Sequence, residues 1–147
     1  GYYSSADVDS LFSNTLTGFS MNAASGVGID TSAGNFTYAT SQNSTRSLTK
    51  LGSNSLTLTG NSNYGTTTVR AGTLVVDGTV GGSGDLTVRN GGTLGGNGTV
   101  NKAVTVESGG TLSPGNSPGA LSQGATTLNS GGNYNWQILD ATGAAGT

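Results

Sequence analysis

Short stretches in which apolar and polar residues alternate recur along the chain from about residue 26. Leu and Thr alternate over residues 55–59, and large and small side chains alternate over residues 35–40. Such alternation is typical of half-buried strands. Further runs rich in Val, Leu and Thr, each bounded by Gly or Asn, lie at residues 73–76, 85–88, 99–100 and 103–106. The pattern predicts many short strands separated by tight turns.

The strand pattern repeats with a period of about 20 residues, and such self-similarity is the signature of a repeat architecture. The glycine that precedes Thr-Leu recurs at nearly even intervals, at Gly72, Gly92 and Gly110. A degenerate copy ends at Gly132, and Gly52 lies one such interval before Gly72. Three short strands per period match one coil of a parallel β-helix, whereas a β-sandwich has more closely spaced turn signals and no longer period. The predicted fold is an all-β parallel β-solenoid of about six or seven coils.

Stacked coils lie about 4.8 Å apart and bring equivalent residues into columns. The repeat therefore predicts an inward-facing core column, formed by Val69, Leu74, Val88, Leu94, Val106 and Leu112. Threonine suits the outer face, because it is β-branched and its hydroxyl group remains hydrated.

A single short helix is predicted near the N-terminus, over residues 5–12. Ser5 is a suitable N-cap, and Val8, Leu11 and Phe12 lie at spacings i, i+3 and i+4, which form one apolar face. Two domains are predicted: an N-terminal cap or linking segment over residues 1–25, and the solenoid repeats over residues 26–147.

The composition excludes several classes of function. The 147 residues include only 12 charged ones, and the five basic residues are spread singly, which gives no electrostatic footprint for nucleic acid. No apolar run approaches the roughly 20 residues that span a bilayer. The absence of Cys and His excludes disulfides, thiol chemistry, zinc sites and imidazole catalysis. A disordered linker is the alternative for such a chain, but the periodic apolar runs argue against it. The first residue is Gly rather than Met, so we expect a processed product or an excised piece.

Candidate catalytic and metal-binding residues are few. Glycoside hydrolysis needs two facing carboxylates, and Asp77 and Asp85 are the nearest pair within the repeats. Each adjoins a glycine, which favours a turn role. Residues 81–85 resemble a calcium-binding nonapeptide, but the segment is single and one residue short. We therefore predict no catalytic residues, no metal site and no cofactor. Arg70 and Arg89, with Glu107 next in register, are interpreted as a solvated ladder, with polyanion binding as the alternative.

The segment from residue 48 to residue 74 resembles a known family. Residues 48–60 read LTKLGSNSLTLTG, and NYGTTTV at residues 63–69 and AGTL at residues 71–74 follow. They are similar to the autotransporter-associated β-strand repeat, also called the passenger-associated transport repeat. A second family-like segment, GTLSPGNSPG, lies at residues 110–119, so the resemblance covers roughly residues 48–122. It implies a right-handed parallel β-helix in a bacterial product that is secreted or held at the cell surface.

The expected function is structural: an extracellular scaffold, a stalk or a self-assembling fibre subunit. The alternative is an adhesin fragment that binds polysaccharide, and a carbohydrate-active enzyme ranks third. Aromatic residues concentrate near the two ends of the chain and favour head-to-tail contact between copies, although flanking repeats of a longer passenger would cover the same surfaces. The residues predicted to form the subunit contact are Tyr2, Tyr3, Phe12, Tyr134, Trp136 and Ile138.

Overall fold

The computed structural model describes residues 4–115 and 119–137 and contains one helix and sixteen short strands. The strands form three parallel sheets, which we name A, B and C. Sheet A contains β1 (Val27–Asp30), β3 (Leu48–Leu51), β6 (Thr67–Val69), β9 (Leu86–Val88), β12 (Val104–Val106) and β15 (Thr126–Leu128). Sheet B contains β2 (Phe36–Tyr38), β4 (Ser55–Leu58), β7 (Gly72–Val76), β10 (Gly92–Gly96), β13 (Thr111–Pro114) and β16 (Asn133–Tyr134). Sheet C contains β5 (Asn61–Asn63), β8 (Thr79–Gly81), β11 (Thr99–Val100) and β14 (Ser122–Gln123).

The chain visits sheets A, B and C in turn, which confirms the predicted parallel β-solenoid. The second to fifth coils have a strand in each sheet. Among the described residues, the first coil (β1, β2) and the sixth coil (β15, β16) have strands in sheets A and B alone. The solenoid therefore completes about five turns, slightly fewer than the predicted six or seven.

Glycines allow the corners of successive coils to stack closely. Gly82 has φ 111° and Gly96 has φ 115°, a backbone conformation that residues with a Cβ rarely adopt. A Cβ on Gly82 would overlap the carbonyl oxygen of Tyr64, and one on Gly96 would overlap that of Val76. These glycines are therefore required where one coil passes directly over another.

The predicted N-terminal helix is present as α1, which spans Ser5–Ser13. Its N-cap is Ser4 rather than the expected Ser5. The Ser4 side chain accepts a hydrogen bond from the Asp7 amide, and the Ser4 amide donates to the Asp7 carboxylate at 2.7 Å, which completes a capping box. The helix ends at Asn14, whose φ of 58° is left-handed. The first strand begins at Val27, next to the predicted domain boundary.

Candidate functional site

The interior contains several columns of inward-facing side chains, and all six residues of the predicted core column lie in two of them. One column runs through sheet A and the other through sheet B. The six side chains of the predicted core column are all fully buried. The sheet A column consists of Ile29, Lys50, Val69, Val88, Val106 and Leu128. The sheet B column consists of Phe36, Leu56, Leu74, Leu94, Leu112 and Tyr134.

Helix α1 covers part of the N-terminal end of the solenoid. Val8 and Phe12 are buried in the main core, and the Phe12 ring lies 5.0 Å from the Tyr64 ring. The expectation that Phe12 contributes to a subunit contact is therefore wrong, because its side chain is only 4% exposed. The apolar face of the helix is used inside the chain, where it replaces the cover that a preceding coil would give.

A polar cluster ties the helix to the first coil. The Tyr38 hydroxyl donates to the Asp9 carboxylate, and the Gln42 side-chain amide donates to Asp9 Oδ1 at 2.9 Å. The same amide also donates to the Tyr38 hydroxyl at 2.6 Å. Burial raises the pKa of Tyr38 far above its usual range, and the bond to Asp9 raises it further. Tyr38 is therefore held in its neutral, donating form.

An apolar groove of about 550 Å³ remains open beside the helix. Helix α1 forms one wall, and strands β1 and β2 with the turn between them form the other. We name this surface the N-terminal groove. Its apolar lining consists of Val8, Leu11, Val27, Ile29 and Phe36.

The opposite end of the solenoid exposes apolar side chains, and we name this surface the C-terminal edge. Leu128 is 43% exposed, Tyr134 is 51% exposed and Trp136 is 77% exposed. Leu128 and Tyr134 continue the two inward columns, whereas Trp136 lies just beyond β16. Tyr134 and Trp136 are accessible, as a subunit contact requires. Tyr2, Tyr3 and Ile138 lie outside the described residues.

Three of the five basic residues point inward, which the sequence interpretation missed. Lys50 is completely buried, and its ammonium group donates to the carbonyl oxygens of Leu51, Gly52 and Ala71 at 2.7, 2.8 and 3.0 Å. Burial lowers the pKa of Lys50, while nearby Asp30 opposes that shift. The lysine occupies a position of the sheet A column and donates to corner carbonyl groups, of which that of Leu51 also accepts from the Thr31 amide.

Lys102 and Arg46 satisfy carbonyl groups at the corner between sheets C and A. The Lys102 ammonium group donates to the carbonyl oxygens of Tyr64 at 3.0 Å, of Gly84 at 2.8 Å, and of Gly65. The register places Gly84 and Gly65 at the positions equivalent to Lys102 one and two coils earlier. Because glycine has no side chain, the lysine side chain has room to extend across both coils.

Arg46 lies at the same corner one further coil towards the N-terminus. Its guanidinium group donates to the carbonyl oxygens of Asn22 at 2.6 Å and of Ser25 at 3.2 Å. It thereby fixes the segment that connects α1 to β1. These residues brace the fold, and none of the three basic side chains is presented to an external ligand.

The predicted charged ladder lies on the surface. Arg70, Arg89 and Glu107 stack in successive coils, since the amide of each bonds to the coil before it. Together with Asn90 they line a shallow depression of about 350 Å³. Two cations with a carboxylate in the same stack offer little net charge to a polyanion.

The nearest predicted carboxylate pair is divided between two corners. Asp77 lies at the corner between sheets B and C, where its carboxylate accepts a hydrogen bond from the Asn97 amide at 3.1 Å in the next coil. Asp85 lies at the corner between sheets C and A, directly before β9. No group of three or more potential metal ligands exists among the described residues. Within the same part of the chain, no helix is long and apolar enough to cross a membrane.

The fold and its ladders define a β-solenoid assembled from short repeats of similar length, one to each coil. Residues 48–76 match the family described as the passenger-associated transport repeat, which confirms the predicted resemblance for the second coil and the first two strands of the third. The match is shorter than the expected span of residues 48–122. Residues 48–76 are therefore similar to the passenger repeats found in autotransporters.

The chain is also similar to two known extracellular or autotransporter proteins. The chain is 44% identical over 81 residues to the adhesin BmaC autotransporter of Brucella suis biovar 1, and the match covers 54% of this chain. It is 38% identical over 95 residues to an extracellular serine protease of Serratia marcescens, and that match covers 63% of this chain. The chain spans only 2% and 9% of the lengths of these two relatives.

Proposed function

We propose that this chain forms part of the rigid stem of a bacterial autotransporter passenger, secreted or displayed at the cell surface, and acts there as a structural scaffold. The observation that carries the proposal is the continuity of the two inward columns through six coils. Each coil is held by parallel pairing and core packing to its neighbours, so the coils form one stiff rod. The five steps between the six sheet A strands correspond to a length of about 24 Å at the usual strand spacing.

The similarity to a serine protease does not favour a catalytic role for this part of the chain. That match covers 9% of the protease, and serine proteases of the triad type use a histidine as general base. This sequence contains no histidine. We therefore expect the proteolytic activity of that relative to lie outside the shared segment.

A surface-display experiment tests the scaffold proposal. The 147-residue chain is inserted between the membrane-anchored part of an autotransporter and an epitope tag, and added protease is applied to intact cells. The expected result is a protected rod with an accessible tag. Val88→Asp places a charge in the core and is expected to make the rod digestible, whereas Thr87→Asp, one residue away and facing outward, leaves it resistant. Rapid digestion of the unaltered chain overturns the proposal.

The adhesin alternative is supported by the relationship to BmaC and by the exposed aromatic side chains of Tyr134 and Trp136. Aromatic faces commonly stack on sugar rings. Cells that display the chain are applied to polysaccharide surfaces such as cellulose and peptidoglycan. Retention that is lost with Trp136→Ser favours the binding role, and equal retention of cells with and without the chain favours the scaffold.

A further inference from the structure

The two ends of the solenoid leave the same two sheets unpaired. At the N-terminal end, β1 and β2 are the outermost strands of sheets A and B. At the C-terminal end, β15 and β16 are the outermost strands of the same sheets. An outermost strand presents a row of unpaired amide and carbonyl groups. In β1 these belong to Gly28 and Asp30, because the backbone groups of Val27 and Thr31 bond towards β3.

The third side of the N-terminal end is covered by the helix. The strands of sheet C begin in the second coil, and a single bridge between Asn43 and Asn63 extends their pairing to the first coil. Helix α1 lies on this side, because Asp9 bonds to Tyr38 and Gln42 and Phe12 packs on Tyr64. The helix therefore packs over the third side of the first coil and beside Val27 and Ile29, and it leaves β1 and β2 as the outermost strands of their sheets.

Apolar side chains are also placed to match, although Val27 and Ile29 are already largely buried beside helix α1. The C-terminal edge exposes Leu128, Tyr134 and Trp136, and the N-terminal groove is lined by Val27, Ile29 and Phe36. Continuing the register by one coil places Leu128 over Ile29 and Tyr134 over Phe36 of a following copy. Both columns would then run without interruption from one molecule into the next.

We propose that the chain associates head to tail, with β15 and β16 of one copy pairing in parallel with β1 and β2 of the next. This contact continues the coil-to-coil interface that the structure already repeats along its length. It joins two different surfaces, so its geometry yields an open filament rather than a closed dimer. The inference goes beyond the scaffold role. The two are tested separately, because a rod that remains monomeric can still serve as a stem.

Cysteine cross-linking tests the register of this contact, since the native chain contains no cysteine. Thr37 and Asn135 are both exposed and face outward at equivalent positions of the first and sixth coils. Head-to-tail pairing would bring Thr37→Cys of one copy within about 5 Å of Asn135→Cys of another, which suits a disulfide. The doubly substituted chain is expected to give a covalent ladder of multimers under mild oxidation.

The matched control combines Asn135→Cys with Ser53→Cys, which is exposed at a corner of the second coil. Docking raises the effective concentration of the paired thiols. The Thr37→Cys and Asn135→Cys pair is therefore expected to oxidise at least about ten times faster than the control pair. Equal rates overturn the proposal. Preferential cross-linking of Asn135→Cys to itself also overturns it, because that product reports a tail-to-tail contact.

The single tryptophan supplies a measurement that needs no cysteine. Trp136 is largely exposed, so docking is expected to shift its emission to shorter wavelength as the concentration of the chain rises. Sedimentation velocity should show growth of the species over the same range. Trp136→Ser should abolish that growth, whereas Phe19→Ser, which removes a 52% exposed aromatic residue elsewhere, should not. A constant monomer in the unaltered chain, or equal growth in both variants, overturns the proposal.

Discussion

The inner coils and the last coil of this solenoid place large apolar side chains at the same column positions, but these side chains differ in exposure. Leu94 and Val106 are fully buried, whereas Tyr134 and Leu128 at the equivalent positions of the sixth coil are about half exposed. The strands have the same orientation and the same register in both regions. Burial in this fold is therefore created by the coil that follows and is not a property of the repeat itself.

The first coil shows a different solution to the same problem. Val27 and Tyr38 are buried although no earlier coil pairs with β1 or β2 among the described residues. Helix α1 supplies cover through Val8 and Phe12, and Asp9 fixes it to the coil. An amphipathic helix can thus replace part of a coil at an end. The C-terminal edge has no such helix among the described residues.

The largest effect is expected when a side chain in the middle of the sheet B column is truncated, and truncation at the end of the sheet A column is the comparison. Leu94→Ala leaves a cavity between packed coils and should lower the free energy of unfolding by about 2–5 kcal/mol. Leu128→Ala removes a partly exposed side chain and should cost about 1 kcal/mol or less. Urea unfolding at concentrations where the chain is monomeric measures both. Equal losses of stability would show that the two regions pack alike, which would contradict the observed difference in side-chain exposure.

A smaller loss is expected from Lys102→Met. The substitution keeps the length of the side chain but leaves the carbonyl groups of Tyr64, Gly65 and Gly84 without their donor, at a cost of about 1–3 kcal/mol. Arg89→Met, which removes an exposed cation, should change stability by less than about 0.5 kcal/mol. Thermal unfolding compares the two. A Lys102 variant as stable as the Arg89 variant would contradict the bracing role.

Ser4→Ala should act on the N-terminal cover alone. Loss of the capping box costs about 1 kcal/mol in helix stability. Hydrogen exchange should become faster in residues 5–13 and in the first coil, while the amides of the fourth coil keep their protection. Ser53→Ala is the control for removal of an exposed hydroxyl group. Uniformly faster exchange across all coils would indicate that α1 is part of one cooperative unit with the whole rod.

The smallest effect is a pH dependence that also belongs to the capped end. The pKa of Tyr38 is raised in the folded chain, so an unfolded chain releases this proton first as the pH passes about 10. The contribution of Tyr38 to the free energy of unfolding is complete below that pH and is lost progressively above it. Buried Lys50 and Lys102, whose pKa values are lowered, act in the opposite direction. Stability should therefore fall less steeply between about pH 9.5 and about pH 11 in Tyr38→Phe than in the unaltered chain, and parallel curves would contradict this.

The repeat period explains why the fold could be predicted so far from sequence. Gly72, Gly92 and Gly110 set the register, and strand alternation then identifies which side chains share a column. The same register would also have located Lys50, because it aligns with Val69 and Val88 at an inward position. A lysine among valines is normally read as a surface residue, and only the corner carbonyl groups show why an ammonium group belongs there.

The features that could not be predicted depend on contacts between distant parts of the chain. Phe12 belongs to a short apolar face that could equally have met another molecule, and its place against Tyr64 follows from how the helix folds back over the first coil. Similarly, Arg46 and Lys102 have no local sequence signal for burial. Their roles become evident only when successive coils are stacked and distant carbonyl groups come within reach.

The reach of Lys102 limits how this array can change during evolution. Repeat proteins gain and lose units most easily when each unit contacts only its immediate neighbours. Here one side chain joins the corners at Gly65, Gly84 and Lys102, and so connects three successive coils. Duplication or loss of a single unit within residues 64–102 would separate the lysine from its acceptors or place side chains in its path. Recombination is therefore best tolerated outside this block, and the three coils are expected to be inherited together as one module.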